Sequence, residues 1–255
     1  MDIGVFIFDT DYSVDITILA KELEARGYES LFVPEHTHIP TSRKSPFPGG
    51  GDLPRQYSHT LDPFISLGFA AAATEKLKVG TGICLLPQRE AIVTAKSVAS
   101  LDLMSKGRFV LGLGGGWNME EMEDHGVKYD RRFAMMKERV LAMKSLWIDE
   151  EAKFSGEFVN FEKSWSYPKP YQKPHPRPHR PGASQNGATH ARWPAAWSGC
   201  GRRFPPHKAG PGHGGRQSWV CLLYSSDAAD EGLGVEHGGR RIIKKKRGGG
   251  GGGGG

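Results

Sequence analysis

Four apolar segments of strand type, each followed by a segment with helical spacing, constrain the fold of this chain more than any other feature. Residues 3–8 (IGVFIF) form an unbroken apolar run, which is typical of a strand buried on both faces of a parallel sheet. The later strand-type segments are SLFVPEH, LKVGTGICLLP and RFVLGLGGGWN. This alternation predicts an α/β fold with right-handed crossovers and parallel strands. Both an open doubly wound sheet and a (β/α)8 barrel satisfy the pattern.

Capping residues predict where the helices begin and end. Polar side chains that accept hydrogen bonds favour the first position of a helix, and glycine favours the position after its end. The expected boundary residues are Ser13 or Asp11 and Gly27 for the first helix, Asp62–Pro63 for the second, Gly107 for the third and Asp130 for the fourth. A long proline- and glycine-rich segment over residues 37–60 is expected to be a functional loop.

The net charge of +6 is unevenly distributed along the chain. Residues 179–255 hold 12 Lys and Arg against 4 Asp and Glu, a balance of +8. The totals of 34 and 28 therefore leave 22 against 24 for residues 1–178, a balance of −2. The basic character belongs to the C-terminal segment, so the charge does not predict binding to nucleic acid.

The periodic pattern stops near residue 178. Of the 35 glycines, 20 fall in residues 182–255, and no apolar periodicity of helix or strand type continues there. Within residues 221–246, CLLYSSDAADE and GGRRIIKKK resemble the conceptual translation of sequencing-adapter DNA. We therefore expect residues 1–178 to fold and residues 179–255 to be a non-native, disordered basic tail that follows a frameshift; a genuine disordered tail is the alternative.

Cysteine content and the N-terminus both predict a cytoplasmic protein. Cys84 is the one cysteine in the patterned region, which fits a reducing compartment. The N-terminus lacks the basic region of a signal peptide, and the longest apolar stretch, residues 63–73, is too short to cross a bilayer.

Five ordered motifs over residues 1–178 resemble the luciferase-like monooxygenase superfamily, and most closely its deazaflavin (coenzyme F-420)-dependent oxidoreductase branch. The motifs are VPEHTHIP at 33–40, SPFPGGGDLP at 45–54, YSHTLDPF at 57–64, VGTGICLLPQREAIVTAK at 79–96 and GRFVLGLGGGWNMEEMEDHG at 107–126. The resemblance implies the N-terminal half of a TIM-type (β/α)8 barrel, incomplete, with the cofactor at the carboxyl ends of its strands. It also implies a possible homodimer of the full-length protein.

The resemblance assigns a catalytic role to His36, which follows the second strand. In relatives that use the deazaflavin, this histidine lies against the cofactor ring, where it would act as an acid or base or hold a substrate oxygen. The alternative is a histidine that only packs the barrel mouth. Gly82 and Ile83 are implied to form a backrest for the ring, often through a non-prolyl cis peptide; a plain strand end is the alternative.

Gly114, Gly115 and Gly116 are candidate cofactor-binding residues because successive glycines let backbone N–H groups approach a ligand closely. A tight turn with Asn118 as the helix cap is the alternative. The Cys84 side chain is interpreted as a buried thiol, and His38 as a loop residue. The acidic run MEEMED is interpreted as a solvated helix face, and no spacing typical of metal ligands is present.

The resemblance implies an enzyme that transfers a hydride between the deazaflavin and a small organic substrate. The alternatives are an FMN-dependent monooxygenase of the same superfamily and a non-catalytic flavin-binding relative. With four of the eight strands of a barrel, the chain as written is itself expected to leave the barrel open and to be inactive.

Overall fold

A computed structural model describes residues 3–176, where strands and helices alternate as predicted. The strands are β1 (Gly4–Phe6), β2 (Ser30–Val33), β3 (Lys78–Thr81), β4 (Cys84–Leu85), β5 (Phe109–Val110), β6 (Leu113–Gly114), β7 (Ala152–Ser155) and β8 (Asn160–Ser164). The helices are α1 (Ile16–Ala25), α2 (Pro63–Ala72), α3 (Ala91–Met104), α4 (Met119–Asp124) and α5 (Arg132–Ile148). The expected basic tail, residues 179–255, lies outside the described residues.

The main sheet is parallel, and its strand order follows the chain: β1-β2-β3-β5. Val5 pairs with Leu31, Leu31 with Val79, and Val79 with Phe109. Strands β4 and β6 form a second parallel pair just beyond β3 and β5. A doubly wound sheet would reverse its strand order at a switch point, whereas a barrel adds each strand beside the previous one. The four strands therefore form an open arc of a barrel, and the prediction of an incomplete parallel α/β barrel is confirmed.

The two faces of the arc differ in what covers them. Val5, Leu31 and Val79 point to the side of the helices and belong to the main hydrophobic core, where each is at most 6% exposed. Because side chains alternate along a strand, Phe6 and Phe32 lie on the opposite face, which corresponds to the interior of a barrel. Helices thus cover one face, and aromatic rings line the other.

Helix boundaries follow the predicted capping rules, with two corrections. Gly27 (φ 76°) and Gly107 (φ 81°) adopt the left-handed conformation that ends helices, and the Asp62 side chain caps α2. The prediction for α1 was wrong, because Asp15 caps it while Ser13 accepts a hydrogen bond from the backbone of Thr10.

The start of α5 was also predicted wrongly. Asp130 lies in a single 3₁₀ turn (Tyr129–Arg131) that leads directly into the helix, so its side chain does not cap it. The turn already supplies backbone hydrogen bonds at this end, such as Arg131 N–H to Lys128 O at 3.0 Å. Within residues 3–176, no helix is long and apolar enough to cross a membrane.

Hydrogen bonds to Glu24 link α1 to the connection between α2 and β3. Its carboxylate accepts backbone N–H groups of three consecutive residues: Glu75 at 3.1 Å, Leu77 at 2.8 Å, and Lys76 between them. Burial alone would raise the pKa of Glu24, but these N–H groups and the charge of Arg108 together lower it. One side chain therefore holds three backbone donors that no strand or helix engages.

Replacing Glu24 by Gln is expected to lower the free energy of unfolding by about 1 kcal/mol at neutral pH. A hydrogen bond to a charged group contributes about 1.5–3 kcal/mol, and the lower figure allows for the partial exposure of this carboxylate. Because its folded-state pKa lies below the ordinary value of 4.5, the contribution is present above that value and is lost as the pH falls below it. Urea unfolding should therefore give a smaller difference at about pH 3 than at about pH 7; an unchanged difference would contradict the assignment.

Candidate functional site

The carboxyl ends of the parallel strands bring the predicted site residues to one edge of the arc. His36 follows β2, and Gly82 follows β3, the neighbouring strand. The backbone N–H of Gly82 donates to the Val33 carbonyl at 2.7 Å, so the pairing of the two strands continues to this point. His36 and Gly82 therefore lie at the same end of the sheet, as a shared site requires.

His36 is held by a buried carboxylate that sequence reasoning missed. Its Nδ1 lies 2.8 Å from Oε2 of Glu121, and the two side chains are 6% and 0% exposed. The other carboxylate oxygen of Glu121 accepts the backbone N–H of Thr37 at 3.1 Å. When Nδ1–H donates to a carboxylate, Nε2 keeps its lone pair, and Glu121 stabilises the imidazolium that forms once Nε2 takes a proton. The contact therefore fixes the orientation of the imidazole ring.

The interpretation of MEEMED as a solvated helix face was wrong for Glu121. Helix α4 has only six residues; Glu121 and Met122 are buried although Met119 is exposed, and Glu121 contacts His36 just after β2. Asn118 caps α4 and accepts the N–H of Glu121 at 3.3 Å. A glutamate three residues after a capping residue is a known sequence signal; here it marks the residue that reaches His36.

Glu35 precedes His36 in the sequence, but its carboxylate has different hydrogen-bond partners. It is 3% exposed, and it accepts the backbone N–H of Leu85 at 2.7 Å and the Nε–H of Arg89. Arg89 also donates to Asp62, and its guanidinium lies 4.7 Å from the ring centre of Phe64. Burial raises the pKa of Glu35, and the charge of Arg89 opposes that effect. This ion pair joins β2, the segment after β3 and the first turn of α2.

Gly82 and Ile83 are joined by a cis peptide bond, the conformation that the resemblance implied. Gly82 is half-buried, and a Cβ atom there would lie 3.1 Å from the Phe6 ring and 3.2 Å from Cβ of Phe32. Glycine at this position therefore lets two aromatic side chains on the barrel-interior face pack closely against the backbone. The role of Gly82 and Ile83 as a backrest stays a prediction.

The three glycines at the end of β6, Gly114, Gly115 and Gly116, are buried and closely packed against protein atoms. A Cβ on Gly114 would lie 1.7 Å from Cδ1 of Ile83, and one on Gly115 would lie 2.6 Å from the Phe133 ring. Gly116 has a φ of 80°, which glycine adopts readily. Each position thus has a packing or conformational reason for glycine, in line with the tight-turn alternative. Cofactor binding by these residues stays a prediction.

Cys84 and His38 fit the interpretations given to them from the sequence. Cys84 is fully buried, and burial raises its pKa well above the ordinary value. His38 is an exposed loop residue whose Nε2 lies 2.9 Å from Oδ2 of Asp124. Among residues 3–176, no cluster of three or more His, Cys, Asp or Glu side chains is arranged to hold a metal ion.

Aromatic side chains from the long loop 37–60 surround His36. The Tyr57 ring lies 5.1 Å from the His36 ring and 5.2 Å from Phe47. Trp117, which follows β6, lies 5.9 Å from His36 and 6.1 Å from Phe47. The His36–Glu121 pair therefore lies beside aromatic rings and is largely shielded from solvent, a setting in which electrostatic interactions are strong.

Comparison with protein families and curated proteins gives one consistent result. The family model described as luciferase-like monooxygenase matches residues 4–193. An uncharacterized protein of Mycobacterium tuberculosis is 43% identical over 175 residues, which cover 68% of this chain and 62% of that protein. A 5,10-methylenetetrahydromethanopterin reductase of Methanolobus tindarius is 25% identical over 161 residues, 63% of this chain and 43% of the reductase. The chain thus spans less than two thirds of the length of these relatives.

Solved structures share the fold. A monooxygenase from Streptomyces bottropensis matches with a TM-score of 0.60 and 25% identity, over 71% of this chain and 53% of that protein. The oxygenating constituent of 3,6-diketocamphane monooxygenase from Pseudomonas putida, solved in complex with FMN, matches with a TM-score of 0.57 and 17% identity, over 71% and 51% of the two chains. About half of each solved chain corresponds to the arc described above.

Proposed function

The chain belongs to the luciferase-like monooxygenase family, and we propose that its protein is an oxidoreductase that transfers a hydride between a deazaflavin (coenzyme F-420) ring and a small organic substrate. The observation that carries this proposal is the buried His36–Glu121 pair, 2.8 Å apart, at the carboxyl ends of the parallel strands. Catalytic groups of such barrels gather at this end.

We place the planar ring at this edge because the candidate residues meet there. Gly82 and Ile83 follow β3, and His36 follows the neighbouring strand at the same end of the sheet, beside the Tyr57 and Trp117 rings. Gly82 and Ile83 would lie behind the ring, with His36 in front of it. Gly114, Gly115 and Gly116 would support the site mainly through packing, because their neighbours are protein atoms.

The proposed mechanism assigns proton transfer to the protein. When bound, the ring supplies the hydride chemistry. His36 gives a proton to, or takes it from, the substrate oxygen at Nε2, because Nδ1 is engaged by Glu121. Tyr57 and Trp117 exclude water from the His36 ring. Glu35 and Arg89 hold Leu85, three residues beyond Gly82, and so keep the strand end in place.

An FMN-dependent monooxygenase is the second candidate. The similarity to the Streptomyces bottropensis monooxygenase, at 25% identity, favours it, whereas the similarity to the Methanolobus tindarius reductase favours the first candidate. A non-catalytic flavin-binding protein is the third. As predicted from the sequence, we propose a small-molecule substrate, action in the cytoplasm and a homodimer of the full-length protein, with no nucleic-acid or membrane partner.

Titration of the protein with FMN and, separately, with the deazaflavin tests the cofactor. We expect the deazaflavin to bind with a shift of its absorbance spectrum and with an affinity at least about tenfold higher than that of FMN, a difference of about 1.4 kcal/mol. Oxygen consumption above the rate for free reduced FMN would instead support the monooxygenase. Binding of neither ring at millimolar concentration would reject both candidates.

A further inference from the structure

Helix α4 and the loop 37–60 hold each other through a reciprocal pair of side chain–backbone contacts. Oε1 of Glu120 accepts the backbone N–H of Lys44 at 2.7 Å and that of Ser45 at 3.1 Å. In return, Oγ of Ser45 accepts the backbone N–H of Met119 at 3.1 Å, at the start of α4. Ser45 is 7% exposed. Each segment thus supplies the acceptors for the free N–H groups of the other.

The charge of Glu120 is well suited to this contact. Burial alone would raise the pKa of Glu120, but the Ser45 hydroxyl and the backbone N–H groups of Lys44 and Ser45 lower it to about 2. The carboxylate therefore stays ionised throughout the range in which an enzyme would work. Hydrogen bonds to an ionised acceptor are stronger than those between neutral groups.

The loop segment that Glu120 holds, residues 43–47, forms one wall of the candidate site. Arg43, directly before Lys44, has its guanidinium 5.5 Å from the ring centre of Trp117. Phe47, two residues after Ser45, lies 6.1 Å from the same ring. Trp117 in turn lies 5.9 Å from the His36 ring. The contact at residues 44 and 45 thus holds two of the three loop side chains beside Trp117; the third, Tyr57, lies 6.3 Å from the same ring.

We infer that Glu120 is a positioning residue that holds Arg43 and Phe47, the loop wall, against Trp117. The position of this wall in turn sets the shape of the space that an apolar substrate occupies beside His36. The inference that this space takes substrate rests on the proposed function. The positioning of the wall does not, because it follows from contacts within the chain. Glu120 itself touches neither the substrate nor the ring.

Limited trypsin digestion of the full chain tests the positioning. In the Glu120→Gln variant, cleavage after Arg43 and Lys44 is expected to be about tenfold faster than in the unmodified chain, because proteolysis follows the population of the open loop and the lost hydrogen bonds involve a charged group. Cleavage after Arg26, at the exposed end of α1, serves as the internal reference. Glu123→Gln is the matched control, because Glu123 is an exposed residue of the same helix; it should leave both rates unchanged.

Acrylamide quenching of tryptophan fluorescence reports on the wall itself. Glu120→Gln should increase quenching, and the increase should disappear when Trp117→Phe is added, since Trp117 is the ring that the wall covers. Equal acceleration of cleavage at Arg26, or no change after Arg43 and Lys44, would overturn the inference. So would an increase in quenching that persists without Trp117.

A binding measurement separates this inference from the proposed function. With FMN as the probe, the Glu120 variant should keep its affinity within about twofold, because the ring is proposed to lie on the Gly82 side. A tenfold loss of FMN affinity would overturn the inference, since Glu120 would then support the whole site. Absence of FMN and deazaflavin binding in the full-length protein would reject the proposed function, and the proteolysis and quenching results would still decide the role of Glu120.

Discussion

Replacing Arg89 by methionine is expected to lower the free energy of unfolding by about 3–5 kcal/mol, the usual cost of removing one partner of a buried ion pair. The side chain of Glu35 is 2% exposed and that of Arg89 is 18% exposed. Without Arg89, the Glu35 carboxylate keeps the Leu85 N–H and the Cys84 thiol as neutral partners and is left as an uncompensated buried charge. Urea unfolding followed by circular dichroism measures the change.

Two further variants distinguish an unpaired charge from lost packing. Glu35→Gln combined with Arg89→Met should recover part of the stability, because a neutral amide costs less to bury without a charged partner. Arg26→Met is the control, because Arg26 pairs with Glu22 on the surface, where both side chains are more than half exposed. Its effect should stay below about 0.5 kcal/mol. A loss of similar size in both arginine variants would show that the Glu35–Arg89 pair has no special role.

Replacing His36 by alanine in the full-length protein is expected to lower kcat/KM by about 10²–10⁴-fold, the usual contribution of a positioned acid or base. The substrate for this measurement would come from a screen of small alcohols, aldehydes and ketones with the cofactor that binds. The loss should appear mainly in kcat, because His36 is proposed to act in the proton-transfer step. Glu121→Gln should give a smaller loss, since the amide still meets Nδ1 but no longer carries a charge to stabilise the imidazolium.

His38→Ala is the matched control for the His36 variant. His38 lies two residues further along the same loop, is exposed and pairs with Asp124 on the surface. Its removal should change kcat/KM less than about threefold, as surface ion pairs contribute little. Equal losses in the two variants would assign the effect to the loop rather than to His36. Unchanged activity in His36→Ala would favour a protein that binds the ring without this residue acting in catalysis.

The fold was predictable because its signals are local. The apolar run at residues 3–8 and the Asp62–Pro63 helix start depend on neighbours within a few residues. The helix start is confirmed, and the run forms a strand, although a shorter one, Gly4–Phe6. Competition among local signals explains the errors at two helix starts. Asp11, Ser13 and Asp15 all stand near the start of α1, and only the geometry of the preceding turn selects Asp15.

The partners of the site residues were not predictable in the same way. His36 and Glu121 are 85 residues apart, and Glu35 and Arg89 are 54 apart. Hydrophobic periodicity carries no information about which polar side chains meet across such distances. The sequence pattern identified His36 and Gly82 through motif resemblance. Glu121 was assigned to solvent with the rest of MEEMED, because acidic residues are usually exposed, and Glu35 was given no role.

Helix α4 bonds to the loop at several successive points: Glu121 at His36 and Thr37, Asp124 at His38, and Glu120 at Lys44 and Ser45. Helix α4 and the loop are far apart in the sequence, yet each supplies hydrogen-bond partners that the other needs. A chimera that imports the loop from a relative to acquire a new specificity must therefore bring the matching short helix with it. Protein engineers, and recombination in nature, would have to treat the two stretches as one inherited module.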